Sequence, residues 1–182
     1  MRSALRHGIL WLIVFFVAAP LGQTGEPSSP TLRDYRLRFF NTHTNERIDV
    51  IYRRGESYLP EALAKLDNYL RDVFSGEVRH FDPHLFDLLY DLTTSLNDAG
   101  GEIDVVCGYR TAKTNEFLRG RSAQSGVAVH SLHMLAEAID IRLSGIATAA
   151  VRDAALRLQR GGVGYYRASD FVHVDVGPVR HW

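Results

Sequence analysis

The chain has 182 residues, 46% of them hydrophobic, which is enough for one globular domain after a short export segment. Its 21 lysines and arginines equal its 21 aspartates and glutamates, so no excess of charge points to nucleic acid or to an anionic membrane surface. Cys107 is the only cysteine, which excludes an internal disulfide and a metal cage built from cysteines.

The N-terminus has the pattern of an export signal. Basic side chains at the very start precede the apolar stretch 9–19, which is shorter than the ~20 residues that span a bilayer. We therefore expect a signal peptide or a short uncleaved anchor over residues 1–22, delivery to the periplasm, and no membrane insertion beyond this segment. The polar, proline-containing residues 23–30 predict a linker, and the folded domain is expected over residues 31–182.

The first half of this domain predicts a hairpin followed by two helices. Apolar and polar residues alternate between 35 and 39 and again between 48 and 52, which is typical of paired strands. Leucines at helical spacing predict a helix over residues 60–74, with its last residue on the apolar stripe. Asp82 and Pro83 supply a cap and a first-turn proline for a second leucine-rich helix.

The second half of the domain predicts shorter elements in which strands and helices alternate. They are a strand over residues 103–107, a short helix capped by Thr111 and a loop over 120–132. A strand over 136–142, an alanine-rich helix over 146–160 and two closing strands over 163–166 and 171–176 follow. The sequence therefore predicts an α+β fold, in which flanking helices come first and a small, mostly antiparallel sheet carries the polar clusters.

One segment offers two side chains that could hold a metal. A catalytic zinc needs three nitrogen or oxygen ligands and one open position, and a domain of ~150 residues needs no structural metal to fold. If residues 136–141 form a strand, Asp140 shares a face with two small alanines. An acid in such an open space cannot be buried unpaired at low cost. His133 precedes the strand and could meet Asp140 across a metal.

The third ligand is expected from a neighbouring strand. His173 and Asp175 lie on one face of the predicted strand 171–176, whereas valines fill its other face. A lone histidine in a strand is more often a hydrogen-bonded core or surface residue, and an aspartate at a strand end is more often a turn former. His133, Asp140 and His173 fall together in two short segments, which makes these ordinary readings less favoured, but spacing alone leaves both them and a metal site open.

At these residues the chain resembles a known family. The run Ser-x-His-x6-Asp over residues 131–140, followed by His173 on a strand, is similar to the zinc pattern of M15-type peptidoglycan peptidases, which share a metal-site fold with the hedgehog signalling domain. The closing runs 161–166 and 171–182 resemble the murein endopeptidase K branch of these D-Ala-D-Ala-peptidase-like enzymes. The similarity covers nearly the whole predicted domain. Ala136 departs from the wider family, which often has glycine there.

The resemblance implies a zinc hydrolase of the bacterial cell wall. His133, Asp140 and His173 would bind one Zn2+, which would acidify water and polarise the scissile carbonyl. The implied partners are peptidoglycan stem peptides, and the implied bond is an amide cross-link between two diaminopimelate residues. His130 and His181 are expected to be structural or to support the ligands.

Two other functions fit the same scaffold. One is a D-alanyl-D-alanine carboxypeptidase, which acts on the end of a stem peptide. The other is a non-catalytic module that keeps its metal and binds the cell wall without hydrolysis. Acidic residues near His173 favour an enzyme over this second reading. Nothing in the sequence indicates an oligomeric state.

Three residues have expected roles beside the metal. Arg110 follows a predicted strand, and its fork of donors could pair with a carboxylate of the stem peptide, as a matching arginine does in related enzymes. The general base is expected to be Asp175, which shares the face of His173. Asp170 is the alternative base if the chain turns near Ser169. Asp175 could instead orient His173 through the free ring nitrogen of that ligand.

Overall fold

The structure is a computed structural model that describes residues 32–121 and 126–182. The predicted export segment over residues 1–22 and the linker over residues 23–30 lie outside the described residues. No helix within the two described ranges is long and apolar enough to cross a membrane.

The described residues form four α-helices and one mixed sheet. The helices are α1 (Pro60–Tyr69), α2 (Pro83–Ser95), α3 (Ala112–Gly120) and α4 (Thr148–Leu158). The strands are β1 (Asp34–Asn41), β2 (Arg47–Arg54), β3 (Ser57–Tyr58), β4 (Glu102–Cys107), β5 (Ala138–Leu143), β6 (Gly162–Tyr166), β7 (Phe171–Asp175) and β8 (Arg180–His181). Short 3-10 turns cover Leu132–Leu135 and Arg167–Ser169.

The strands follow the order β3-β2-β1-β4-β5-β7-β6-β8 across the sheet. Most neighbouring pairs are antiparallel, whereas β1 with β4 and β6 with β8 are parallel. The predicted α+β class with a mostly antiparallel sheet is therefore confirmed. The short strands β3 and β8 were not predicted, because two residues are too few to show an alternating pattern.

Local sequence explains the predicted elements that the structure confirms. The alternation in β1 buries Leu37 and Phe39, which leave 2% and 0% of their surface exposed, and β1 pairs with β2 as a hairpin. The side chain of Asp82 accepts a hydrogen bond from the backbone N–H of His84 at 2.9 Å, so the predicted cap starts α2. The hydroxyl of Thr111 caps α3 in the same way.

The first predicted helix is wrong at its C-terminal end. It was expected to run to residue 74, but α1 ends at Tyr69. The carboxylate of Asp72 accepts hydrogen bonds from the backbone N–H groups of Phe74 and Ser75, at 2.9 and 3.3 Å, and these bonds compete with a continuing helix. Phe74, predicted on the apolar stripe, is 60% exposed as a result.

One face of the sheet packs against the hydrophobic core, and its opposite face is available for polar residues. Ile139 and Ile141 of β5 pair with Val174 and Val172 of β7, and all four are buried where α4 packs on these strands. Because side chains alternate along a strand, residues between them project from the other face of the sheet. The predicted strand over 136–142 needs one correction, since β5 begins at residue 138.

Candidate metal centre

Three side chains from two strands and one turn meet on the free face of the sheet. Asp140 of β5 lies directly opposite His173 of β7 in the strand register, and His133 comes from the 3-10 turn before β5. Nε2 of His133 lies 3.2 Å from Oδ1 of Asp140 and 3.1 Å from Nδ1 of His173. Nδ1 of His173 lies 2.8 Å from the same oxygen of Asp140. The structure thus brings the three predicted ligands together.

The remaining ring nitrogens set the tautomer of each imidazole. Nδ1 of His133 lies 2.7 Å from the carbonyl oxygen of Gly108, which can only accept, so this nitrogen donates its proton. Nε2 of His173 lies 3.1 Å from Oδ2 of Asp175 and donates to it. Each ring therefore turns a lone pair towards the three-atom cluster. Burial lowers the pKa of His133, which favours the neutral form that metals bind.

The donor set fits a catalytic zinc. Two imidazole nitrogens and one carboxylate oxygen are ligands that zinc uses, at distances of about 2.0–2.2 Å. In a tetrahedron of that size, ligand atoms lie about 3.3 Å apart. The three separations of 2.8–3.2 Å in this cluster are close to that value. With three protein ligands, a fourth position stays open, which is the arrangement of catalytic rather than structural sites.

Asp175 has no free oxygen for the role of general base. Its carboxylate is fully buried and accepts from His173, from the backbone N–H groups of Gly162 and Gly177 at 2.8 and 2.9 Å, and from both terminal nitrogens of Arg180 at 3.1 and 2.7 Å. Burial opposes ionisation, but these donors lower the pKa of Asp175 to about 2. This placement corrects the expected assignment of Asp175 as base and fits its alternative role behind His173.

Asp170 is also separated from the cluster. The chain does turn at Arg167–Ser169, as the alternative required, and Asp170 has a left-handed backbone with φ 53°. However, its Oδ1 accepts from the hydroxyl of Thr148 at 2.8 Å, its side chain is exposed, and it does not line the cavity above the cluster. Asp170 therefore has no contact with the cluster among the described residues, and its role as the alternative base stays a prediction.

The cluster lies in a cavity of about 200 Å3, which we call the metal recess. Its walls come from the segment before β5, from β6 and β7, and from the C-terminal residues, and they include Arg110, His130, Ser131, Tyr166, Arg180 and Trp182. Asp140 is the only carboxylate among the described residues that line it. The metal recess therefore combines cationic, aromatic and hydroxyl groups with a single acid.

Arg110 lies in the wall of the metal recess, next to the ligands. Its backbone N–H donates to the carbonyl of His133 at 3.2 Å, and its Nη2 donates to the hydroxyl of Ser131 at 3.0 Å. The side chain is buried, and its Nε has no hydrogen-bond partner within the described chain. Burying a donor without a partner costs free energy, so an acceptor on a bound ligand would stabilise this nitrogen. The predicted carboxylate partner fits that need.

Comparison with known proteins shows the family of this chain. The family model described as Peptidoglycan L,D-endopeptidase MepK (Peptidase_M15_2) matches residues 29–182. The chain belongs to this family. It is 42% identical over 159 residues to the peptidoglycan L,D-endopeptidase MepK of Escherichia coli K12, covering 86% of each chain, and equally to that of Shigella flexneri. The M15-type resemblance predicted from the sequence is thereby confirmed.

One solved structure was also found to be similar. It is a variant of the vancomycin-resistance D,D-pentapeptidase VanY, from a VanB-type resistance cassette, in complex with Zn(II). Its sequence is 21% identical, the TM-score is 0.37, and the match covers 63% of this chain and 82% of that one.

Sequence reasoning missed Trp182 in the aromatic wall of the metal recess. The ring of Trp182 lies 5.3 Å from the ring of His173, and its Nε1 donates to the hydroxyl of Tyr166 at 3.0 Å. Gly164 makes room for this contact, because a Cβ there would lie 2.6 Å from the indole. The alternating glycines of β6 were thus a signal that a large side chain covers this strand.

Cys107 was likewise not expected near the ligands. It pairs with Asp140 across β4 and β5, and its Sγ lies within 4.8 Å of ligand atoms of His133 and Asp140. The strand pairing that causes this proximity is not visible in sequence spacing. Burial raises the pKa of the thiol to about 12, so Cys107 in this setting is neutral.

Proposed function

We propose that this chain is a zinc-dependent peptidoglycan endopeptidase that hydrolyses the amide cross-link between two diaminopimelate residues. The observation that carries the proposal is the cluster of His133, Asp140 and His173, whose facing atoms lie 2.8–3.2 Å apart on the floor of a recess. Family membership and relatives named peptidoglycan L,D-endopeptidases supply the substrate class.

Five residues in and behind the metal recess have distinct tasks. His133, Asp140 and His173 would hold one zinc ion, which supplies Lewis acidity that polarises a carbonyl and acidifies water. Asp175 fixes the tautomer of His173, so that Nδ1 keeps its lone pair for the metal. Arg110 offers its unpaired Nε to an oxygen of the stem peptide and fixes the peptide across the cluster.

A proton acceptor is still required, and neither of the carboxylates expected for it lines the metal recess. We assign this role to His130, which lines the metal recess and is an imidazole, the side chain most often used for proton transfer in catalysis. It would accept a proton from the attacking water and return it to the leaving amine. This replaces the structural role expected for His130 from the sequence.

Export completes the proposal. The basic start and the apolar stretch 9–19 favour delivery of the domain to the periplasm, where peptidoglycan lies. The segment over residues 1–22 would be a cleaved signal peptide or a short anchor to the inner membrane.

The test is hydrolysis of defined muropeptides by the purified protein, with and without zinc. Chelation should abolish cleavage of dimers joined by diaminopimelate–diaminopimelate bonds, and added zinc should restore it. His133→Ala, Asp140→Ala and His173→Ala should each lose both activity and bound zinc, measured by elemental analysis, while circular dichroism stays near that of the wild type. Full activity of zinc-free protein would overturn the proposal.

The same assay separates the two alternatives. A D-alanyl-D-alanine carboxypeptidase would release terminal D-alanine from monomeric pentapeptides and leave the cross-linked dimers intact. A non-catalytic wall-binding module would sediment with peptidoglycan sacculi and release no fragment from any substrate. Either result would replace the endopeptidase assignment.

A further inference from the structure

A second cavity shares part of its wall with the metal recess. Both cavities are lined by Arg110, Asp140 and Phe171, but the second one is otherwise formed by the segment after α1, the end of β4 and the end of α3. We call this cavity, of about 290 Å3, the lateral recess. Its apolar walls are formed by Leu70, Val73, Phe74, Val105, Cys107 and Leu118. The lateral recess is therefore a direct neighbour of the metal recess.

Hydrogen bonds join the wall of the lateral recess after α1 to the segment that carries Arg110. The carboxylate of Asp72 accepts from the backbone N–H of Phe74 at 2.9 Å and from that of Thr111 at 2.8 Å. The backbone N–H of Tyr109 donates to the carbonyl of Leu70 at 2.9 Å. At Gly108 a Cβ would lie 2.6 Å from that carbonyl, so the close approach requires glycine. The recess is thus preformed next to Arg110.

The free charge in the lateral recess is positive. Its two carboxylates, Asp72 and Asp140, are already bonded to backbone amides and to the imidazole cluster. Arg121 lines the recess and has no carboxylate partner within the described part of the chain. Together with the unpaired Nε of Arg110, it makes the recess complementary to an anionic group.

We propose that the lateral recess binds the side chain of a diaminopimelate residue on one side of the bond that is cut. The three methylenes of that side chain would contact the apolar walls, and its terminal carboxylate would pair with Arg121. A lysine side chain ends in the same ammonium group but lacks this carboxylate, so the recess would select against it. This inference rests on the proposed function and adds the residues that choose the substrate.

Kinetics on cross-linked dimers test the apolar wall. Val73 is 40% exposed, so Val73→Asp should not disturb folding. The substitution places a negative charge in the wall that would contact the methylenes of the diaminopimelate side chain. The matched control is Val78→Asp, since Val78 is 50% exposed and lines neither recess. We expect the KM of Val73→Asp to rise roughly tenfold or more with one zinc retained per chain, and the control to keep the wild-type KM. Equal KM values for the two variants would overturn the inference.

Calorimetry on the zinc-loaded protein tests the charged end without depending on turnover. The probes are the tripeptides L-Ala-γ-D-Glu-diaminopimelate and L-Ala-γ-D-Glu-L-Lys. The wild type should bind the first at least about tenfold more tightly, and Arg121→Gln should remove this preference. Equal affinities in the wild type would overturn the lateral recess as a diaminopimelate site. That result leaves the endopeptidase intact, whereas hydrolysis by zinc-free protein would remove the function itself.

Discussion

Asp175 accepts its hydrogen bond from the ring nitrogen of His173 that faces away from the other two ligands, at 3.1 Å. This contact makes Asp175 a partner of the ligand rather than of the substrate. Arg180 holds the opposite side of the carboxylate with two hydrogen bonds, and Arg180 in turn stacks 5.2 Å from the ring of Trp182. The orientation of one metal ligand is thus set by a chain of side chains that ends at the rim of the recess.

The contact predicts that Asp175→Asn weakens zinc binding. Asparagine can still accept a hydrogen bond, but it removes the negative charge that makes His173 a better donor to the metal. Loss of such a partner typically costs about 10–100-fold in metal affinity or activity. Competition with a chromophoric chelator would measure the zinc affinity, and turnover would be expressed per bound zinc.

Asp170→Asn is the matched control, because Asp170 is exposed and bonded to Thr148 instead of to a ligand. It should keep wild-type zinc affinity and turnover. If Asp175→Asn kept its zinc and lost turnover by some 10²–10⁴, Asp175 would be a proton acceptor after all.

Arg110→Ala should lower kcat/KM without loss of zinc. The buried guanidinium has one unpaired nitrogen beside the ligands and is not itself a ligand. Arg110→Lys should restore only part of the loss, because a point charge cannot reproduce the planar fork. Kinetics on cross-linked dimers, together with zinc content, would measure both effects. Wild-type kinetics in the alanine variant would mean that Arg110 only supports the turn at His133 and Ser131.

The sequence was sufficient to predict much of the sheet and the face that carries the ligands. The period of two placed Asp140 and His173 on faces of their strands opposite the apolar residues, and the register confirms this geometry. The same period could not show what each side chain contacts. It predicted that Asp175 shares the face of His173, but the hydrogen bonds to Gly162 and Arg180 depend on pairing with β6 and on the return of the C-terminus.

At Ala136 the alternating pattern predicted the wrong backbone conformation. It was predicted inside a strand, but it follows the 3-10 turn with a left-handed backbone of φ 57°. Alanine pays a steric penalty there of about 1–2 kcal/mol that glycine avoids. This backbone geometry therefore favours glycine over alanine at position 136.

Ala136→Gly should leave the stability of the protein close to that of the wild type. Relief of the left-handed strain, about 1–2 kcal/mol, is offset by the greater freedom of glycine in the unfolded chain and by the loss of a fully buried methyl group, worth about 0.8 kcal/mol. Urea denaturation would measure the free energy of unfolding. Ala150→Gly is the matched control, because Ala150 is exposed within α4, where glycine should cost about 1 kcal/mol. A loss of stability in both variants would mean that residue 136 is not strained.

The assignment of the proton acceptor leads to the last prediction. Asp175 and Asp170 are bonded elsewhere, and among the described lining residues of the metal recess the remaining acid, Asp140, belongs to the cluster. His130→Ala should therefore cut turnover by some 10²–10⁴ while zinc content and KM stay near those of the wild type. His181→Ala is the matched control, since His181 is an exposed histidine of β8 that does not line the recess. Added imidazole should restore part of the activity of His130→Ala, because a small base can enter the space that the side chain leaves. Undiminished turnover in His130→Ala would move the proton acceptor to another group.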